Sequence, residues 1–207
     1  YNLLTDQFEL YLDLAEHIYM GLVLHYLFID SQEQLWIGLN SGLYCCLLGE
    51  TPQLIDSDCH VTYITELPQS MAIGTTCDLR IYSKDRNLLQ KLCPDTYVQS
   101  LLPLPNKEIL LIGTFNCGVK SISLSSWQEQ PVKNGSLPHT PIRSMIEMTP
   151  STVLLGFDGD GVYTYNLSSG EAEPLFTRTN RMLTAMGVYS LCRDCEDNIW
   201  IVAYTHL

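Results

Sequence analysis

An all-β protein made of repeated short antiparallel strands is what the sequence predicts, and three observations carry that prediction. First, a four-residue apolar segment recurs: Leu35-Trp36-Ile37-Gly38, Met71-Ala72-Ile73-Gly74, Leu110-Leu111-Ile112-Gly113, Val153-Leu154-Leu155-Gly156 and Ile199-Trp200-Ile201-Val202. The last residues of these segments, at positions 38, 74, 113, 156 and 202, lie 36, 39, 43 and 46 residues apart, a repeat-architecture spacing. Second, another apolar run precedes each of these anchors, with turn-forming residues between the two. Third, Leu110-Leu111-Ile112 and Val153-Leu154-Leu155 do not alternate apolar with polar, as expected of strands covered on both faces. A sheet of three or four short strands every ~40 residues buries both faces only if neighbouring sheets stack on it, which is the pattern of a β-propeller blade. The expectation is a β-propeller of about five four-stranded blades.

The elements follow in order within each repeat. The first strands are Leu24 to Ile29, Val61 to Ile64, Val98 to Leu102, Ile142 to Ile146 and Val188 to Cys192. Asp30-Ser31-Gln32, Pro68-Gln69-Ser70, Pro105-Asn106-Lys107, Pro150-Ser151 and Asp194 to Asn198 supply the fixed φ and side-chain-to-backbone bonds that hairpins need, so each first strand is joined to its anchor strand. Glycine at four of the anchors fits a place where backbones crowd or the strand must bend; Val202 departs from this, so the last repeat is expected to be distorted there. Third strands begin at Gly42-Leu43-Tyr44, Asp78 to Tyr82, Gly118 to Ile122 and Gly161 to Tyr165. Segments such as Pro52 to Ile55 and Glu173 to Phe176 suit a fourth, outer strand, while Ser123 to Leu137 falls outside the pattern as a linker.

Residues 24–207 hold the repeats. Leu24 to Leu43 aligns without a gap on Val188 to Leu207, matching Leu27, Asp30, Trp36, Ile37 and Leu43 with Leu191, Asp194, Trp200, Ile201 and Leu207. The last repeat therefore stops at its third strand. Residues 1–23 are expected either to complete that blade, through a strand at Phe8 to Leu12, or to form a helix over Leu4 to Leu14 on the face of Leu4, Phe8, Tyr11 and Leu12. Against closure by strand exchange stands the alternative that these repeats are part of a larger propeller with a raw edge at Leu207.

The segment Asp30…Leu35-Trp36-Ile37-Gly38-Leu39-Asn40-Ser41-Gly42-Leu43-Tyr44 resembles the two-component-regulator propeller repeat, in which an acidic residue and a turn precede Leu-Trp-Ile-Gly-Thr, two residues and Gly-Leu. Asp194…Ile199-Trp200-Ile201 resembles the first half of the same repeat. Gly113-Thr114 with Gly118-Val119, and Gly156 with Gly161-Val162-Tyr163, are weaker copies without the tryptophan, and the copy at Gly74 is weaker again. The resemblance implies the periplasmic sensor region of Bacteroides-type hybrid two-component histidine kinases. Such a region is non-catalytic and usually dimeric, responds to an oligosaccharide, and is linked through a membrane segment to a kinase that these residues do not contain. A sensor fragment, a degenerate relative and a small propeller with another partner all fit it. The competing functions are a protein–protein interaction scaffold and a carbohydrate-active enzyme.

Composition narrows the partners. The 207 residues are 46% hydrophobic and 16% charged, with 11 Lys+Arg against 23 Asp+Glu for a formal charge of −12. Such a chain forms a core and is not a disordered tail. Its basic residues are scattered from Arg80 to Arg193, so no nucleic-acid partner is expected. The longest apolar stretch, Tyr19 to Ile29, is broken by Gly21 and His25 and falls short of the roughly 18 residues of a membrane span. No basic n-region or cleavage site follows Tyr1, so a signal peptide is expected to have been left out of these residues or removed.

No phosphate-binding Gly-x-x-x-x-Gly-Lys, Gly-x-Ser-x-Gly or His-Glu-x-x-His pattern occurs, so no catalytic residue, cofactor or metal is assigned and the ligand-binding residues stay unknown. Asp158 and Asp160 lack the further oxygens of a calcium loop and suit a tight turn. The cysteines are 45, 46, 59, 77, 93, 117, 192 and 195; Cys192-x-x-Cys195 falls on a strand and a turn, not at the start of a helix as a redox pair would, and Cys45 and Cys46 point to opposite faces of a strand. Their spacing names no disulfide pairs. His17, His25, His60, His139 and His206 share no ligand spacing, and His60 and His139 are expected at the surface. Trp36 and Trp200 suit packing between blades, Trp127 suits exposure or a cover over the outer strand, and Arg143 and Arg181 lie near blade entrances, where propellers bind ligands, but suit solvated charge better.

Overall fold

The computed structural model describes residues 6–7, 22–135, 137–177 and 187–204. The strand or helix expected before residue 22, together with His17, Arg181, His206 and Leu207, lies outside the described residues. The chain divides into two compact units, Tyr1–Val61 and Thr62–Leu207.

The first unit holds one four-stranded sheet, in the order β1 (Leu24–Ile29), β2 (Gln34–Leu39), β3 (Gly42–Leu47), β4 (Gln53–Asp56). Its first hairpin closes on Asp30, whose Oδ1 accepts the backbone N–H groups of Gln32 and Gln34, both at 2.9 Å. The Trp36 indole donates to Oδ2 of the same carboxylate at 2.9 Å. Asp30 thereby serves both the turn and the buried indole N–H. The acidic residue and the tryptophan of the repeat are thus one structural device.

In the second unit the same meander occurs three times, after which a hairpin follows. The sheets run β5 (Val61–Glu66, starting at the border of the units), β6 (Ser70–Thr75), β7 (Leu79–Ser83), β8 (Leu88–Leu92); then β9 (Val98–Leu104), β10 (Ile109–Thr114), β11 (Val119–Ser123), β12 (Glu129–Gln130). The third runs β13 (Ile142–Thr149), β14 (Thr152–Phe157), β15 (Gly161–Asn166), β16 (Ala172–Phe176), and the hairpin pairs β17 (Gly187–Arg193) with β18 (Ile199–Tyr204). The five anchor segments lie in β2, β6, β10, β14 and β18, each the second strand of its sheet.

Both faces of β10 and β14 are covered, for a reason visible residue by residue. Successive side chains of a strand point to opposite faces. Leu110 and Ile112 enter a core shared with Ala72, Leu79 and Ile81, while Leu111 enters one with Ile142, Val153, Leu155 and Phe157. Leu154 in turn packs with Val188 and Leu191. Three consecutive apolar residues therefore serve two different cores, and each buried Leu or Ile contributes roughly 1.5–3 kcal/mol relative to exposure.

Two devices join successive sheets. The three anchor glycines of the second unit each face a branched residue of the next first strand: a Cβ on Gly74 would meet Val98 Cγ1 at 2.5 Å, one on Gly113 would meet Ile142 Cγ2 at 2.9 Å, and one on Gly156 would meet Val188 Cγ1 at 2.7 Å. Hydrogen bonds run alongside these contacts. Thr62 Oγ1 donates to the Val98 carbonyl at 2.7 Å, Ser100 Oγ donates to the Ile142 carbonyl at 2.6 Å, and the Leu191 N–H donates to Ser144 Oγ at 3.0 Å.

Two sequence expectations change. Ser123 to Leu137 is not simply a linker: it carries the short outer strand β12, and Trp127, at a turn with φ 59°, packs against the core that contains Leu101 and Ile122. Trp36 is fully buried, but Trp200 is 61% exposed, because β18 has a neighbouring strand on one side only among the described residues. Trp200 still donates to Asp194 Oδ2 at 2.7 Å, as Trp36 does to Asp30. That bond, with those from Asn198 and Glu196, lowers the Asp194 carboxyl to about 2.

Candidate functional site

A register irregularity repeats at one end of the sheets. In the pairing of first and second strands, Leu24 faces Leu39 and Tyr26 faces Gly38; Val98 faces Thr114 and Ser100 faces Gly113; Ile142 faces Phe157 and Ser144 faces Gly156; Val188 faces Ala203 and Ser190 faces Val202. One residue is skipped each time: His25, Gln99, Arg143 and Tyr189. A bulge of this kind bends the strand and re-aims the extra side chain out of the ladder. The flanking residues are apolar on one side and Ser or Tyr on the other in these four copies, and in β9 and β13 all of them, Val98, Ser100, Ile142 and Ser144, are buried. The skipped residue differs in every copy, so this is where the repeats vary in chemistry.

In the second unit the bulges build a cluster. Arg143 leaves the β13 ladder and places Nε 2.8 Å and Nη2 2.6 Å from Asp158 Oδ2, in the turn that follows β14. A guanidinium carries five N–H donors; the other three make no hydrogen bond among the described residues. The Tyr204 hydroxyl, at the end of β18, donates to Asp158 Oδ1. Tyr189, the bulge residue of β17, has its ring 5.4 Å from the Arg143 Cζ and 4.9 Å, centroid to centroid, from the Tyr204 ring. It stays 57% exposed. One sheet further back, Phe115 after β10 stacks on Tyr97 before β9 at 5.0 Å, and its backbone N–H bonds to the Tyr97 carbonyl as that of Asp158 does to Pro141.

The electrostatics of the cluster are balanced. Burial alone would pull the Arg143 guanidinium down, but the hydrogen bonds and charge of Asp158 outweigh it and hold the group above its ordinary value. The bond to Asp158, reinforced by partial burial and the carboxylate's charge, raises the Tyr204 phenol and keeps it a donor. Asp160 accepts from Thr140 Oγ1 at 2.6 Å. Asp158 and Asp160 therefore belong to a hydrogen-bonded β14–β15 turn, as the sequence suggested.

Arg143 thus has a built environment, while Arg181 is outside the described residues. Tyr189, Tyr204 and the pairing with Asp158 were missed by sequence reasoning. The signal was available in the aligned triplets Leu24-His25-Tyr26, Val98-Gln99-Ser100, Ile142-Arg143-Ser144 and Val188-Tyr189-Ser190, whose middle residue is the variable one. In the first unit a further contact was missed: His25 Nε2 lies 3.0 Å from His60 Nε2, and partial burial together with the neighbouring imidazole lowers His25 from its ordinary value.

Of the eight cysteines, Cys45, Cys46, Cys59 and Cys93 are buried and Cys77, Cys117, Cys192 and Cys195 are exposed. No group of three or more His, Cys, Asp or Glu that could hold a metal occurs among the described residues. No helix among them is long and apolar enough to cross a membrane. A cavity of about 430 Å³ lies at the hairpin end, between the sheets of β10 and β14, bordered by Lys107, Glu108, Lys133, Tyr165 and Ser168. Its tyrosine is 2% exposed and donates its hydroxyl to the Lys133 carbonyl, so it offers no open aromatic face.

No protein-family model matches the chain, and no curated protein matches it by sequence. Solved structures do resemble it. The extracellular domain assigned to the hybrid two-component system BT4673 of Bacteroides thetaiotaomicron superposes with a TM-score of 0.72 at 19% identity, over 84% of this chain and 25% of that one. The corresponding domain assigned to BT3049 of the same organism gives 0.69 at 15% identity, over 87% and 27%. A computationally designed protein, Ika8, gives 0.62 at 12% identity, over 87% and 58%. At these identities the likeness is one of fold, and the chain spans about a quarter of the length of the two bacterial domains.

Proposed function

We propose that this chain is part of the sensing region of a two-component signal-transduction system, on the periplasmic side of the inner membrane, and that its signal is an oligosaccharide. In this reading residues 24–207 are propeller blades, about five in number, and the chain itself performs no catalysis and needs no cofactor. Signal transfer follows from ligand-dependent packing of the blades or of a homodimer contact.

The observation that carries the reading is the fold shared with extracellular domains of hybrid two-component systems. The repeat resemblance at Asp30…Trp36-Ile37-Gly38 points the same way, and the structure gives that motif a physical role. A ligand-binding role is supported by the bulge cluster, where an exposed aromatic ring adjoins polar groups held in fixed positions, the composition of a small-molecule site.

A second reading, a propeller that binds another protein, is favoured by the open face of β18, where Trp200 and Val202 are 61% and 58% exposed. A thermal-shift screen of the chain against oligosaccharide pools separates the two. A ligand that binds only the folded state at a hundred times its Kd stabilises by about 2.7 kcal/mol, so sensing predicts a rise of several degrees in Tm with at least one pool. No shift with any pool at millimolar concentration would refute direct oligosaccharide sensing and favour the scaffold.

A further inference from the structure

Resting on the oligosaccharide reading, we infer that the Arg143–Asp158–Tyr189 cluster is the binding site and that it takes a neutral sugar and not an acidic one. The positive charge of Arg143 is already matched: Nε and Nη2 both reach Asp158 Oδ2, within 2.8 and 2.6 Å. An acidic sugar would have to displace that carboxylate or share the guanidinium with it, and would approach a chain of formal charge −12. A sugar hydroxyl faces neither cost. The donors of Arg143 that Asp158 does not use can bond to hydroxyl oxygens while the ion pair stays intact. Tyr189 supplies the apolar partner. Its ring, still 57% exposed with Arg143 and Tyr204 beside it, fits the C–H face of a pyranose.

The roles are separate. Arg143 and Tyr189 contact the sugar, and Asp158 is a positioning residue that fixes the guanidinium and cancels its charge. Tyr204 holds Asp158 from the other side through its hydroxyl. Replacing Asp158 by its uncharged amide, which keeps the shape, leaves the Arg143 charge unmatched and shifts preference toward anions.

The test is calorimetric titration of the full chain with neutral malto-, manno-, xylo- and arabino-oligosaccharides and with acidic oligogalacturonides and chondroitin sulfate disaccharides. A neutral member is expected to bind; Tyr189→Ala and Arg143→Lys should each weaken it by about tenfold or more, and Asp158→Asn should gain binding of an acidic member. Lys107→Ala, at the hairpin end, should leave affinity unchanged. Circular dichroism confirms that each variant is folded, and the exposed Tyr189 keeps the site testable if a variant of the ion pair unfolds.

Binding of acidic members only would overturn the neutral class while leaving oligosaccharide sensing in place. Neutral binding that Tyr189→Ala does not change would overturn the site and leave the sensing reading in place. Absence of binding by every member would refute both.

Discussion

The Gly156 Cα–H sits where a side chain would collide with Val188, and the same holds for Gly113 against Ile142 and Gly74 against Val98. These glycines are needed for close approach between sheets. Their substitution makes a sharp prediction at the residue scale. Gly156→Ala should destabilise the second unit by about 1–3 kcal/mol through overpacking, and Val188→Ala added to it should recover part of that loss. The check is a double-mutant cycle by denaturant unfolding, in which coupling between the two substitutions is the expected result. Additive losses would mean that the glycine serves some other purpose. Val202 occupies the glycine position in β18 and is exposed, so no neighbouring sheet among the described residues presses on its side chain.

At the scale of elements, hydrogen bonds donated by Thr62 and Ser100 and one accepted by Ser144 link β5, β9, β13 and β17 in succession. Ser144→Ala removes the acceptor of the Leu191 N–H in a buried site, at an expected cost of about 1–3 kcal/mol. Hydrogen exchange should show this locally: the Leu191 amide should exchange faster in the variant, while amides of β6 and β7 stay as protected as before. Unchanged protection at Leu191 would assign the bond no part in joining the sheets. Much of this level was legible in the sequence. The anchors, the runs before them and the turns between them fall on the observed strands because turn chemistry and doubly buried strands leave strong local signals. β8 (Leu88–Leu92) and β12 (Glu129–Gln130) were not singled out, since an outer strand is exposed and its sequence is under little apolar constraint. The bulges were missed for another reason: one extra residue in a strand leaves the apolar pattern nearly intact and appears only when pairing partners are known.

For the whole molecule, the account joins a repeated packing rule to a variable position. The residues that recur hold sheet against sheet, and the residue that changes at each bulge, His25, Gln99, Arg143 or Tyr189, gives each repeat its own chemistry. Arg143 was noticed in the sequence only through its place near a strand entrance. Asp158, 15 residues on, meets it across the β13–β14 pairing of one sheet, while Tyr189 and Tyr204, 46 and 61 residues on, reach the cluster because the next hairpin packs on that sheet. The charge of −12 argued against a nucleic-acid partner in the sequence; its bearing on the ligand became clear once Arg143 was seen to be neutralised by Asp158. The central claim, an oligosaccharide sensor whose ligand binds at the bulge end of the sheets, is tested most directly by NMR titration of the isotope-labelled chain with the oligosaccharide that shifts its melting. The account predicts that resonances of Arg143, Asp158, Tyr189 and Tyr204 move together and saturably; shifts confined to the hairpin end, at Lys107, Glu108 and Ser168, would contradict it.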